Sequence, residues 1–180
     1  MRTICVVTAT RAEYGLLRPV VQKLAASSTL QLQLVATGAH LCPRLGETVR
    51  EIEADGVPIA ARLPIFVGDE NEPVAVTIAR TITVFDAYFS VHRPDAVLLL
   101  GDRFEIFAAA TAAAARHIPI AHISGGDVTL GAADEYYRHC ITKMAAVHFP
   151  SCADSAARLV RMGEAPETVF CVGGLGDENI

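Results

Sequence analysis

The 180 residues suit one domain, and with 52% apolar residues, 19% charged residues and no Trp they hold enough apolar material for a large core. The net charge is −5 and the basic residues form no stripe, which argues against a nucleic-acid partner; an anion site would have to be local, built from a few arginines and helix N-termini. Five scattered cysteines, Cys5, Cys42, Cys140, Cys152 and Cys171, contain no C-x-x-C; they read mostly as small core residues and place the chain in a reducing, cytoplasmic setting. The apolar run in Met1–Thr8 is too short for a signal peptide, and the longest one, Ile106–Ala115, is too short for a membrane span.

Along the chain, apolar strands alternate with helical segments. Thr3–Thr8 is a continuous β-branched run, as expected of a strand buried on both faces. A polar turn over Thr8–Tyr14 leads to a helix over Gly15–Ala26, in which Pro19 is tolerable only in the first turn. Leu30–Thr37 is a second strand, Gly46–Asp55 a short helix stopped by Gly56, and Pro58–Ile65 a third strand. Glu72–Val91 is helical up to His92-Arg93-Pro94. Asp95–Leu100 is the clearest central strand, followed by an Ala-rich helix over Phe104–Arg116 and a strand over Ile118–Ile123. After the glycine-rich loop Ser124–Gly131 come a helix over Ala133–Ala145, a strand over Val147–Pro150, a helix over Ala153–Met162 and a last strand over Thr168–Val172. About seven strands separated by helices give an α/β fold, a doubly wound Rossmann-like parallel sheet with right-handed crossovers.

In such sheets ligands bind beyond the carboxyl ends of the strands, near the point where strand order reverses. Four segments fall there: Thr8–Gly15, Thr37–Cys42, Gly101–Glu105 and Ser124–Glu135. In the first, Arg11 beside a helix N-terminus suits phosphate oxygens; its structural alternative is an ion pair with Glu13. No G-x-G-x-x-G is present, which disfavours NAD, and no P-loop pattern. In the third, Asp102 ends an apolar strand, where a carboxylate is costly unless used or paired, and Arg103 beside it is the natural partner. Glu105 faces solvent or supports this cluster.

The fourth segment is the richest. Gly125-Gly126 permits close backbone approach to a ligand, and His122, Asp127, Asp134, Glu135, Arg138 and His139 lie within eighteen positions. Histidine titrates near neutral pH, and paired carboxylates can divide acid and base roles. The alternative is a polar loop with Asp134 capping the next helix. His40, on a strand-end loop, has equal claims to the cleft and to the interior, whereas His92 and His148 read as structural. The His and Asp residues lack zinc-like spacing, so no metal is expected.

Five ordered motifs then identify a resemblance: T-R-A-E-Y-G at Thr10–Gly15, T-G-A-H at Thr37–His40, L-G-D-R-F-E at Leu100–Glu105, H-I-S-G-G-D at His122–Asp127, and D-E-Y-Y-R-H-C-I-T-K at Asp134–Lys143. With the glycine-rich end Val172–Asn179 they resemble the hydrolysing UDP-N-acetylglucosamine 2-epimerases across the whole chain. The resemblance implies one half of a two-domain, glycosyltransferase-B-like architecture, with residues 1–173 as the N-terminal Rossmann-like domain and 174–180 opening the junction to a second domain. It implies a UDP-sugar substrate, no cofactor, and a chain inactive without its other half; the cleft face that half leaves exposed favours homo-oligomers.

The implied chemistry is elimination of UDP from carbon 1 with loss of the carbon 2 proton, then hydration of the resulting glycal to the 2-epimeric free sugar. UDP-N-acetylglucosamine giving N-acetylmannosamine for sialic-acid-type sugars is the expected substrate. The alternatives are GDP-N-acetylglucosamine, a UDP-diacetamido-trideoxy sugar feeding legionaminic-type products, or a binding module without catalysis. By the resemblance, Arg11 contacts the diphosphate, Asp102 serves acid/base chemistry and Arg103 stabilises the departing charge, with Ser124, Gly125, Gly126, Arg138 and His139 beside the substrate. Many relatives carry a glutamate where this chain has Ser124, so the base duty passes to Asp127, Asp134 or Glu135, with His122 nearby, or the substrate differs. All of this requires the turns holding Arg11, Asp102-Arg103 and Gly125–Asp127 to share one rim.

Overall fold

A computed structural model describes residues 1–68, 71–131 and 133–176. Among the described residues, six parallel strands form one sheet: β1 (Arg2–Thr8), β2 (Leu30–Thr37), β3 (Ile59–Leu63), β4 (Ala96–Leu100), β5 (Ile120–Ile123) and β6 (Val147–Phe149), in the order β3-β2-β1-β4-β5-β6. The order reverses between β1 and β4, which pair through Ile4–Ala96, Cys5–Val97 and Val6–Leu98. The helices are α1 (Arg11–Ala25), α2 (Val49–Ala54), α3 (Val74–Val91), α4 (Phe104–Ala115), α5 (Asp134–Met144) and α6 (Ala153–Arg161).

Two apolar layers sandwich the sheet. On one side, Tyr14, Leu17 and Val21 of α1 and Ile52 of α2 pack on Val6, Leu34 and Ala36. On the other, Phe85 and Phe89 of α3, the alanines of α4 and Ile141 of α5 pack on Cys5, Val7, Val97 and Leu99. The alanines let α3 and α4 approach the strands and each other closely, as the sequence's low aromatic content requires. By length and a mean hydropathy of 1.4, α3 is apolar enough to cross a membrane; in this fold it lays Thr81, Phe85 and Phe89 fully into the core.

Three expectations change. The seventh strand, Thr168–Val172, is absent among the described residues: Val169 makes a single parallel bridge to His148, and Phe170 and Val172 donate to the carbonyls of His148 and Pro150 beyond a 3-10 turn at Pro166–Thr168. That contact is too short to propagate a ladder. Second, α1 begins at Arg11 rather than Gly15, because Thr10 and Glu13 form a reciprocal capping box that starts the helix inside the expected polar turn. Pro19 therefore lies in the helix interior, where the carbonyl it faces belongs to Gly15, four residues back and without a side chain. Third, only Cys5 and Cys42 are buried; Cys140, Cys152 and Cys171 are exposed and all five are free. Residues 177–180 of the expected interdomain junction lie outside the described residues.

Candidate active site

A cleft of about 330 Å³ opens at the carboxyl ends of β1, β4 and β5, beside the strand-order reversal. Asp102, Arg103, Ser124, Asp127 and Arg138 line it, together with Thr10 and Glu13 from the start of α1. Three chain segments more than twenty residues apart thus meet at one rim.

Arg138 is the hub of this arrangement. The residue is 5% exposed and stands one turn into α5. Its Nη2 donates to Asp102 Oδ2 and, at 2.8 Å, to Thr129 Oγ1; its Nη1 donates at 2.9 Å to both Glu135 Oε2 and the Asp127 carbonyl. A planar guanidinium is suited to holding several oxygens at fixed angles, which a lysine ammonium is not. Asp102 is therefore paired with Arg138, not with its neighbour Arg103. Arg103 instead directs Nε and Nη2 to the fully buried Glu105 at 3.2 and 3.0 Å, leaving its side chain 44% exposed at the cleft. Glu105 thus supports the cluster from inside the core.

Arg103 also occupies the N-cap of α4, so the amide ends of both α1 and α4 edge the cleft. Glu13 is 8% exposed; its Oε2 accepts the amides of Ala9 and Thr10 at 2.8 and 2.9 Å, while Oε1 is buried without a partner. Burial pushes this carboxyl up to about 7, against the lowering effect of the Ala9 amide. A group that holds or releases a proton near neutrality therefore sits in the cleft wall, and the sequence reading assigned Glu13 no such place.

The glycine loop lies over His122. That ring is fully buried, donates Nε2–H to the Gly101 carbonyl at 2.8 Å and receives the Thr142 hydroxyl on Nδ1 at 3.4 Å, so burial lowers it to about 4 and it is neutral. Gly125 must lack a side chain because a Cβ would stand 2.9 Å from His122 Nδ1. Ser124 adopts φ +62°, a left-handed conformation that side chains ordinarily avoid; such strain collects where the backbone must present a group in a set direction.

The remaining candidates are placed as follows. Arg11 points away from the cleft lining: it is 73% exposed and pairs with Glu51 of α2 at 2.7 Å, not with Glu13, which turns inward. His40 is fully buried between Thr8 Oγ1 at 3.0 Å and Thr48 Oγ1 at 2.8 Å, lowered to about 4 by burial, and ties the loop after β2 to β1 rather than reaching the cleft. Asp134 is the exposed first residue of α5, and the N-cap position that the sequence offered it belongs to Ala133. Glu135 accepts from the Thr129 amide and Arg138, and these donors lower its pKa; its other oxygen meets His139 Nε2 at 3.1 Å. Among the described residues no cluster of three or more His, Cys, Asp or Glu could hold a metal ion.

The fold and cleft define a Rossmann-like α/β domain whose open cleft lies at the switch between β1 and β4. A profile of the UDP-N-acetylglucosamine 2-epimerase family matches residues 22–180, and the chain belongs to that family. It is 41% identical, over its full length, to 48% of the UDP-N,N'-diacetylbacillosamine 2-epimerase (hydrolyzing) of Legionella pneumophila. It is 39% identical, over 97% of its length, to 45% of the GDP/UDP-N,N'-diacetylbacillosamine 2-epimerase (hydrolyzing) of Campylobacter jejuni. Among solved structures, the UDP-GlcNAc 2-epimerase of Neisseria meningitidis bound to UDP-GlcNAc superposes with a TM-score of 0.85 at 23% identity, over 97% of this chain and 47% of that one. The chain spans about half the length of the relatives it matches.

Proposed function

We propose that this domain forms one wall of the active site of a hydrolysing nucleotide-sugar 2-epimerase. The observation that carries the reading is the Asp102–Arg138 pair standing beside the half-exposed Arg103 and the amide ends of α1 and α4, all on one cleft. The amide ends and Arg103 suit a diphosphate and its departing charge; fixed donors at such a position are commonly the largest catalytic contribution. Asp102, held at one oxygen by Arg138, is the carboxylate placed to move the carbon 2 proton, and Asp127 lines the same cleft beside it. Loss of that proton with departure of the nucleoside diphosphate gives a glycal, and addition of water gives the free epimeric sugar.

UDP-N-acetylglucosamine is one candidate substrate. The UDP-2,4-diacetamido-trideoxy sugar is supported by the 39–41% identity to the two diacetylbacillosamine 2-epimerases, and the sialic-acid-type route by 38% identity to a polysialic acid biosynthesis protein of Escherichia coli. The rest of the nucleotide contacts belong to a second half, and homo-oligomers and a cytoplasmic setting with free thiols fit the same reading.

The test is release of nucleoside diphosphate and free sugar by the complete gene product, offered UDP-N-acetylglucosamine, UDP-N,N'-diacetylbacillosamine and GDP-N-acetylglucosamine in parallel. Asp102→Asn is expected to lower kcat by about 10²–10⁴-fold. No nucleotide release from any of the three leaves a binding module and removes the enzyme, whereas an Asp102→Asn variant as fast as an active parent removes Asp102 from the proton transfer.

A further inference from the structure

The first turn of α6 and the residues just before it fasten the glycine loop from beneath, and no motif of the sequence pointed to them. Ser151 Oγ donates to Asp127 Oδ1 at 2.8 Å, and Ser155 Oγ donates to the same oxygen at 2.6 Å. One turn further, Arg158 Nη1 donates to the Gly126 carbonyl. Ser155 is 3% exposed, and the fit above it is tight: a Cβ on Gly126 would stand 2.5 Å from the Ser155 carbonyl oxygen and 3.0 Å from Leu159 Cγ.

The other side of the loop faces the cleft. There the Asp127 carbonyl accepts from Arg138 Nη1, whose neighbouring nitrogen holds Asp102. A continuous line of contacts therefore runs from α6 through Asp127 and Arg138 to Asp102. The loop itself has little stiffness of its own: two consecutive glycines follow a serine already in the left-handed region. Its placement has to come from outside, and α6 supplies it. Both hydroxyls take Oδ1, so neither occupies Oδ2, the oxygen left for a further donor.

We infer that Ser151 and Ser155 are positioning residues, which fix Asp127 and, through its carbonyl, the Arg138–Asp102 pair. The catalytic consequence rests on the epimerase reading above; the mechanical one does not. A hydroxyl-to-carboxylate bond is directional, and misplacement of a reacting group by about 1 Å can cost on the order of 10²-fold in rate.

The experiment has two arms. In the complete gene product, Ser151→Ala/Ser155→Ala is expected to lower kcat by about 10–100-fold with KM within roughly threefold of the parent, since the contacts act on geometry rather than on substrate binding. Ser151→Thr, which keeps a hydroxyl, is expected to stay within a few-fold of the parent, and Ser151→Ala alone serves if the double variant does not fold. In the 180-residue chain, hydrogen exchange at the amides of residues 125–128 is expected to speed up in the alanine variant while β1 and β4 keep their protection. Unchanged kcat, a threonine variant as slow as the alanine one, or unchanged exchange over 125–128 overturns the inference. A parent protein that releases no nucleotide removes the epimerase reading instead, and the exchange measurement then decides the inference by itself.

Discussion

Arg138 reaches from α5 to the carboxylate of Asp102 at the end of β4, thirty-six residues away in sequence, and almost no part of it touches solvent. The same guanidinium holds Glu135, Thr129 and the Asp127 carbonyl, so its removal strands two carboxylates and a carbonyl at once. Arg138→Ala is expected to cost roughly 3 kcal/mol in urea unfolding, because breaking a buried pair leaves its partners desolvated. Arg138→Lys, with the charge but without the fork, is expected to lose less. An alanine variant that unfolds at the parent's urea midpoint would mean that the hub holds nothing in place.

Two glycines make opposite predictions. Gly126 has φ +81° and backbone within 2.5 Å of where a Cβ would lie, so Gly126→Ala must move α6 or the loop. A loss of roughly 2 kcal/mol or more is expected, combining backbone strain with overpacking. Gly15 lies inside α1 with nothing within 4 Å of its would-be Cβ, so Gly15→Ala is expected to stabilise by about 0.5–1 kcal/mol. Thermal melts of both variants check the pair, and a destabilised Gly15→Ala would show that α1 needs its glycine opposite Pro19.

The parts of this architecture written in local sequence were readable, and the parts written in long-range contacts were not. β4 and α4 follow directly from the apolar run Ala96–Leu100 and the alanines behind it. The strand-end rule brought Asp102, Arg103, Ser124 and Asp127 to one cleft. The early start of α1 is missed by a reading that begins the helix at Gly15, although Thr10 and Glu13 have the spacing of a capping box. His40 and His122 could not be assigned to the interior because their partners Thr8 and Gly101 lie 32 and 21 residues away. Ser151, Ser155 and Arg158 carry no local signal either; only the fold brings α6 against the glycine loop.

His40 and His122 give acid sensitivity of a definite sign. Burial lowers both to about 4 in the folded chain, while in the unfolded chain each regains its ordinary value of 6.5. The unfolded state then binds protons first, so the stability these neutral rings contribute is complete above about 6.5 and is lost as pH falls toward 4, by on the order of 3 kcal/mol per ring at most. Urea midpoints measured from pH 7 down to pH 4.5 are expected to fall. In His40→Gln the starting stability is lower but the acid loss is shallower, and an acid limb as steep as the parent's would show that His40 is not the titrating group.

Glu13 works in the opposite direction. Its folded carboxyl is raised to about 7 from an ordinary 4.5, so its contribution is complete below about 4.5 and is lost as pH rises through 7, when a charge must form in a buried wall. Glu13→Gln keeps the side chain of a capping box, which accepts either residue, but cannot ionise. At pH 5 the variant is expected to be less stable than the parent, because its side-chain NH2 replaces the buried Oε1, which has no hydrogen-bond partner to offer it. Between pH 5 and pH 8 the difference should move in the variant's favour, by on the order of 3 kcal/mol at most. Urea unfolding of both proteins at the two pH values measures this change, and a difference that stays constant would mean that the Glu13 carboxylate is accommodated as a charge, with Arg103 rather than burial deciding its state.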